Sequence, residues 1–168
     1  VREVSRLLRS VGDTPGFRWL DEPPAASLDD DGDDRDNDDG PHESSPRLDR
    51  PLLELPAVYC RACGQFGWMS LTTELGDVLS DNATKIYRGA IERARTVRIL
   101  LTAPPGEPTA RHFDPGSRRL LDSASDHTIA VNATPDEDSA RHQTCPACGE
   151  RDSVRFVGIA VASLASVA

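Results

Sequence analysis

The chain has 168 residues and a formal net charge of −9, and most of that charge comes from one short run. Residues 29–39 read DDDGDDRDNDD and carry −7, which leaves −2 for the other 157 residues. The sequence contains no apolar stretch of about 18 residues and no signal-peptide pattern. We therefore expect a cytoplasmic chain that does not contact a membrane.

Both ends of the sequence indicate that the chain is part of a longer protein. It begins with Val1 instead of Met, and its last residues, 158–168, form an apolar run without a helix stop signal. We expect this run to start a helix that leads into a missing domain. The sequence also lacks the GxxxxGK[ST] loop that holds nucleotide phosphates, so we expect no ATPase chemistry from these residues themselves.

Composition divides the chain into four parts. Residues 1–22 are predicted to hold an N-terminal helix in VREVSRLLRS and a short strand in GFRWLDE. Residues 23–50 are predicted to be a disordered acidic linker, because they bury too little apolar surface to offset the entropy of ordering. Such a run is typical of a solvated loop, although acidic runs also mimic nucleic acid or shield a basic groove. Residues 51–157 contain all four cysteines and precede the terminal run.

Periodicity and turn residues predict one helix and several antiparallel strands between the cysteine pairs. The segment 81–94 is predicted to be a helix, since Ile86 and Ala90 share one stripe and Asp81 or Asn82 can cap it. The turn DPGS favours a hairpin. The predicted strands are 67–71, 96–103, 109–113, 118–121 and 127–133. The predicted fold class is α+β: a four-Cys zinc ribbon with an inserted helix and antiparallel β-hairpins, plus the acidic segment.

The four cysteines fall into two pairs of identical spacing, Cys60 with Cys63 and Cys145 with Cys148, and each pair is followed by glycine. Two intervening residues allow one tight turn to aim both sulfurs at a metal, and four thiolates suit tetrahedral Zn²⁺. The glycine can adopt the left-handed conformation that such a turn needs. The four cysteines are therefore predicted to be the ligands of one structural Zn²⁺ in a zinc ribbon.

The gap between the pairs, residues 64–144, is longer than in compact ribbons, so the helix and hairpins must form an insertion whose ends the metal joins. Spacing leaves other uses of the sulfurs open. Iron takes the same four ligands, CPAC alone suits a redox pair, and two disulfides would need an oxidising compartment. His142 precedes Cys145 closely, but four cysteines already complete a closed shell.

Basic residues are concentrated between Lys85 and Arg119, where the net charge is +5. Such a segment can contact nucleic-acid phosphates, or it can be an ordinary arginine-rich surface that pairs with the parent protein. Phe66 and Trp68 are predicted to pack beside the ribbon and not to stack on bases. The candidate nucleic-acid residues are Lys85, Arg88, Arg95, Arg98, Arg111, Arg118 and Arg119.

Three segments resemble a known family: FRW at 17–19, LPAVYCRACGQFGW at 55–68, and CPACGERDSVRFVGIAVASLASV at 145–167. They are similar to the zinc-binding insert of bacterial superfamily 2 DEAD/DEAH-box, Lhr-like helicases, including members linked to phage defence. The resemblance implies a place between two RecA-like lobes of the same parent chain, with the apolar end leading towards the second lobe. Of the functional residues of that family, the resemblance places only the four metal-ligating cysteines in this chain.

The resemblance implies a structural accessory domain of an ATP-dependent helicase that acts on DNA or RNA. ATP and Mg²⁺ would be bound only by the parent protein. The sequence is also compatible with two other functions: a stand-alone zinc-ribbon module that binds protein, and a four-Cys iron or redox protein. A Walker-type loop upstream and a second RecA-like lobe downstream would separate the helicase from both.

Overall fold

The fold is described by a computed structural model for residues 7–12, 16–20, 53–73, 78–104 and 106–157. This part contains nine β-strands and two α-helices. The strands are β1 (Leu7–Ser10), β2 (Phe17–Trp19), β3 (Glu54–Cys60), β4 (Phe66–Leu71), β5 (Val97–Thr102), β6 (Arg111–Asp114), β7 (Arg119–Leu121), β8 (Ile129–Ala133) and β9 (Val154–Phe156). The helices are α1 (Ala83–Ile91) and α2 (Glu137–Arg141).

All nine strands belong to one sheet, and all its pairings are antiparallel. Eight of them follow the order β2-β1-β3-β4-β5-β8-β6-β7, and β9 pairs with β3 beside this path. The long strand β3 pairs with β4 along one edge and with two short strands along the other. β1 pairs with its first half, at Glu54–Pro56, and β9 with its second half, at Val58–Cys60. The α+β class with an antiparallel sheet and a helix between the cysteine pairs is therefore confirmed.

The far end of the sheet returns to β4. Backbone bridges join Thr72 to Leu79 and Val78 to Arg119, so residues 78–79 connect β4 with β7. By register, Leu100, Phe113 and Val131 lie on one face of the strands in this circuit, and all three are fully buried. Apolar burial of this kind is the main stabilising term of the fold.

Helix α1 packs on the opposite face of the sheet. It starts where the Asn82 side chain accepts a hydrogen bond from the backbone N–H of Lys85, at 3.0 Å, which satisfies a donor that the first turn leaves unpaired. Its buried side includes Ile86 and Ala90, as the periodicity predicted. A Cβ at Gly89 would lie 2.8 Å from a methyl carbon of Leu71, so the glycine permits close approach to β4.

The N-terminal segment differs from its prediction. Leu7–Ser10 form strand β1 and not a helix, because their backbone pairs with β2 on one side and with β3 on the other. The predicted helical spacing came from too few apolar residues to outweigh this pairing. The strand predicted in 16–22 is confirmed as β2.

Most of the other predicted strands are confirmed, and three elements had not been predicted. The predicted strands 67–71, 96–103, 109–113 with 118–121, and 127–133 are present as β4, β5, the β6–β7 hairpin and β8. Strand β3, helix α2 and strand β9 were not predicted. The predicted acidic linker 23–50 and the predicted terminal helix 158–168 lie outside the described residues. Within the described ranges, no helix is both long enough and apolar enough to cross a membrane.

Candidate metal centre

The two cysteine pairs occupy turns with the same backbone hydrogen bonds. In knuckle 1 (residues 60–65), the N–H of Cys60 donates to the carbonyl of Gln65, and the N–H of Gly64 donates to the carbonyl of Cys60. In knuckle 2 (residues 145–150), Cys145 and Gly149 repeat this arrangement, and all four distances are 2.9 Å. Both glycines have φ of +76°, a conformation that L-residues with a Cβ adopt at a cost. The repeated spacing therefore encodes a repeated local structure.

Strand pairing brings the two knuckles together. Knuckle 1 is the turn of the β3–β4 hairpin, and β9, which follows knuckle 2, pairs with β3 so that Cys60 is opposite Val154. The N–H of Arg61 also donates to the carbonyl of Ser153, at 2.9 Å. The hairpin thus holds one cysteine pair in place, and β9 carries the other pair to it.

The four sulfurs form one compact cluster, with every pair of Sγ atoms within 4.8 Å. The Sγ atoms of Cys60 and Cys148 are 3.8 Å apart, and so are those of Cys63 and Cys145. These distances are too long for S–S bonds of about 2.05 Å, and all four cysteines are free thiols. A tetrahedral ion with metal–sulfur bonds of about 2.3 Å would separate its ligands by about 3.8 Å. The cluster could therefore hold one metal ion.

Each knuckle contributes one buried and one exposed cysteine. Cys60 and Cys145 are buried, whereas Cys63 and Cys148 face the solvent. Besides its backbone bonds, knuckle 2 directs the N–H of Cys148 at the sulfur of Cys145, at 3.4 Å. Such N–H groups stabilise negative charge on a ligand sulfur. A metal ion held by these four sulfurs would lie between the core and the surface and would need no further donor to complete four-coordination.

The surroundings of the sulfurs shift their thiol pKa values in different directions. Burial raises the pKa of the Cys145 thiol, and burial also raises that of Cys63. Burial acts the same way on Cys60, but the Ser153 hydroxyl and the backbone of Cys63 and Ala62 outweigh it and lower the Cys60 pKa to about 6. A divalent cation would remove this asymmetry, because it stabilises all four thiolates at once.

His142 is not part of the cluster. It ends helix α2, where its Nε2 lies 3.6 Å from a carboxylate oxygen of Asp138. Among the described residues, the group that could hold a metal ion consists of the four cysteines alone. His127 lies in the turn before β8 and not on the strand where it was predicted, whereas His112 is on β6 as expected.

The predicted nucleic-acid residues do not form one free basic face. Arg95, Arg111 and Arg118 form ion pairs with Glu137, Asp122 and Asp81 respectively. Arg98 donates to the carbonyls of Arg95 and Val97. Lys85 and Arg88 are exposed on α1, and Arg119 is exposed on β7. Neighbouring carboxylates therefore offset part of the positive charge counted in the sequence.

The two aromatic residues after knuckle 1 have opposite environments. Trp68 is 1% exposed and belongs to the core, as predicted. Phe66 is 55% exposed, so the prediction that it packs beside the ribbon is wrong for most of its ring. Both residues lie on the same face of β4, so alternation does not explain the difference. Phe66 is the first residue of the strand, beside knuckle 1, whereas Trp68 lies two residues further into the sheet.

No known protein family, curated protein or solved structure matches this chain. The arrangement of the cysteines therefore stands on its own geometry.

Proposed function

We propose that Cys60, Cys63, Cys145 and Cys148 bind one structural Zn²⁺. The observation that supports this most directly is the separation of 3.8 Å within two sulfur pairs, which matches the edge of a tetrahedral Zn–thiolate site. The matching hydrogen bonds of the two knuckles support it further, since they prepare all four sulfurs for one centre. Four protein ligands leave no open coordination position, so the metal would be structural and not catalytic.

The proposed metal would fasten the two ends of a long insertion. Residues 64–144 leave the cluster along β4 and return to it after α2. Because the ligands come together only in the folded chain, the binding free energy of Zn²⁺ would contribute to folding. Its role would be to fix β9 and knuckle 2 against the β3–β4 hairpin.

We further propose that this zinc-bound unit is an accessory domain of an ATP-dependent superfamily 2 helicase that acts on nucleic acid. The support is the resemblance of residues 55–68 and 145–167 to the insert of that family. The RecA-like lobes, and with them ATP and Mg²⁺, would belong to the rest of the parent chain. Extending the gene in both directions tests this: a Walker-type loop upstream and a second RecA-like lobe downstream are expected. A short reading frame without them would favour a stand-alone protein-binding module.

The metal assignment is tested by elemental analysis of the chain purified under reducing conditions. We expect one zinc per chain and four thiols that react with a thiol reagent only after chelation. A Cys148→Ser variant should lose the stoichiometric zinc, whereas a Ser125→Ala variant, far from the cluster in sequence, should keep it.

The same preparation distinguishes the competing metal chemistry. Iron bound by four sulfurs absorbs visible light, whereas zinc does not. A coloured protein with iron in place of zinc would move the assignment to electron transfer or redox sensing. Four freely reactive thiols without any metal would contradict the proposed centre altogether.

A further inference from the structure

The two faces of the sheet carry different chemistry near the metal centre. Helix α1 covers one face, where Tyr87 contacts Phe156 with ring centroids 4.5 Å apart. By register, the other face carries Arg9 and Phe17 on β1 and β2, and Tyr59 and Phe66 on β3 and β4. We call this second face the aromatic face. Its middle belongs to the buried core, as the 1% exposure of Trp68 shows, and its two ends present the rings of Phe17 and Phe66, which are 54% and 55% exposed.

One end of the aromatic face is a row of side chains across four strands. Arg155 on β9 is opposite Tyr59, and Tyr59 is opposite Phe66. The rings of Tyr59 and Phe66 are inclined at 36° with centroids 6.4 Å apart. Thr102 continues the row on β5, where its hydroxyl donates to the carbonyl of Phe66 at 3.1 Å. Two neighbouring rings are therefore offered side by side, next to knuckle 1.

The other end of the aromatic face is a stack that includes a cation. The guanidinium carbon of Arg9 lies 5.8 Å from the ring centroid of Phe17 and 5.1 Å from that of Trp68. Cation–π contacts of this kind hold the arginine and the outer ring in place. Arg9 is paired with Leu55, which is four residues before Tyr59 on β3, so the two ends are separated by about 13 Å along that strand.

Charge on the aromatic face is mainly positive. The described strand residues that share this face by register include four arginines and no Asp or Glu: Arg9, Arg98, Arg111 and Arg155. Two of them already have partners, since Arg111 is paired with Asp122, just after β7, and the Arg98 guanidinium donates to backbone carbonyls. Carboxylates of the described strands, such as Glu54 and Asp114, lie on the opposite face. The guanidinium of Arg155 donates to the carbonyl of Val154, at the sheet edge, and is paired with no carboxylate of the described residues.

We propose that the aromatic face binds single-stranded nucleic acid, an inference that rests on the proposed function because a helicase domain meets unwound strands. Unpaired bases would stack on Phe66 with Tyr59, at the end of the face next to knuckle 1, and Arg155 would contact a phosphate. Stacking on exposed rings needs bases that are free of a duplex, and a phosphate suits the guanidinium of Arg155, which has no carboxylate partner among the described residues. This places the nucleic-acid contact on the sheet and not on the predicted basic segment of α1.

The test uses the zinc-loaded chain and fluorescence anisotropy with labelled oligonucleotides: single-stranded dT15, U15, and a 15-base-pair duplex. We expect dT15 or U15 to bind at least tenfold more tightly than the duplex at low salt, and the stronger of the two indicates DNA or RNA. Equal or tighter binding of the duplex, or no binding of any of the three, would overturn the proposal.

Variants locate the contact. Phe66→Ala is expected to weaken binding of the single strand about tenfold, the usual effect of one lost base stack. The matched control is Ile91→Ala, which removes an apolar side chain from α1, on the opposite face, that is 80% exposed and so even more accessible than Phe66. It should leave the Kd within twofold. Equal losses in the two variants, or none in Phe66→Ala, would contradict the assignment.

Two further measurements separate stacking from a general loss of structure. Phe66→Trp should retain binding and show additional quenching of tryptophan fluorescence when the oligonucleotide is added, compared with the parent chain. Arg155→Gln should reduce the salt dependence of binding by about one phosphate contact, whereas Arg88→Gln on α1 should not. The reverse pattern would place the contact on the helix face and reject the aromatic face.

Zinc content measured on the same samples keeps this inference distinct from the proposed function. A chain with one zinc that fails to bind either single strand would refute the aromatic face and leave the structural metal intact. A chain without metal would refute the metal centre, whatever its affinity for the oligonucleotides.

Discussion

Knuckle 1 and knuckle 2 have the same sequence spacing and the same hydrogen bonds, but they are supported very differently. Knuckle 1 joins β3 and β4, two strands of seven and six residues in the middle of the sheet. Knuckle 2 lies between a helix of five residues and a strand of three residues at an edge. The difference indicates that knuckle 1 is held by the sheet, whereas knuckle 2 depends on the cluster that it completes.

Removing the proposed zinc should have the largest effect and should fall mainly on knuckle 2. Structural zinc contributes on the order of 10 kcal/mol in small zinc domains, so a strong chelator should lower the melting temperature steeply. In hydrogen exchange, the amides of β9 and knuckle 2 should lose protection before those of β4 and β5. Uniform loss of protection, or loss in β4 first, would contradict the inference that the sheet holds knuckle 1 whereas knuckle 2 depends on the cysteine cluster.

Gly67→Ala should have the next largest effect, on the strand that supports knuckle 1. A Cβ at this position would lie 1.9 Å from the carbonyl oxygen of Leu100 on the neighbouring strand, so the backbone must move. We expect a loss of about 3 kcal/mol in the free energy of unfolding, measured by urea denaturation with zinc bound. Gly12→Ala is the control, since nothing lies within 4 Å of its Cβ position, and it should change little.

Gly64→Ala and Gly149→Ala test whether the knuckles are locally equivalent. Both glycines have φ of +76°, and neither Cβ would meet an atom within 4 Å, so the cost is conformational only. Each variant should lose about 1 kcal/mol in the free energy of unfolding. A loss confined to one of them would show that the two turns differ in more than their support.

Arg93→Gln should have the smallest effect. Its guanidinium lies 2.8 Å from a carboxylate oxygen of Asp152 and so links the end of α1 to the segment after knuckle 2. Both side chains are about half exposed, so solvent screens the pair, and we expect at most about 0.5 kcal/mol, decreasing with salt. Arg95→Gln, which breaks the similarly exposed pair with Glu137, is the matched comparison. A loss of several kcal/mol at Arg93 would mean that this contact supports knuckle 2 structurally.

Local chemistry was sufficient to predict several elements. The cap at Asn82 and the stripe of Ile86 and Ala90 predicted α1, although the helix is shorter than the predicted 81–94. The DPGS turn predicted the β6–β7 hairpin, in which a carboxylate oxygen of Asp114 accepts from the N–H of Gly116 at 2.8 Å. Helix α2 carried a comparable signal, since Asp136 caps it through the N–H of Ser139.

Other features depended on partners that are distant in sequence. β1 is a strand because β3 supplies its hydrogen bonds from more than forty residues away, and no pattern within residues 7–10 contains that information. The acidic partners of Arg95, Arg111 and Arg118 come from other segments, so a charge count along the chain overestimates the basic surface. Phe66 is exposed whereas Trp68 on the same face is buried, a difference that alternation along β4 does not predict.

The sequence by itself determined the four candidate ligands, because CxxCG encodes a turn whose hydrogen bonds close within six residues. It also determined α1 and the hairpins, whose caps and turns act over similarly short distances. Only the tertiary structure decided that the two pairs meet, since that requires β9 to pair with β3 across an 81-residue insertion. It also decided that Arg155, Tyr59 and Phe66 lie side by side on one sheet face, because register between strands, and not order along the chain, places side chains on a common face.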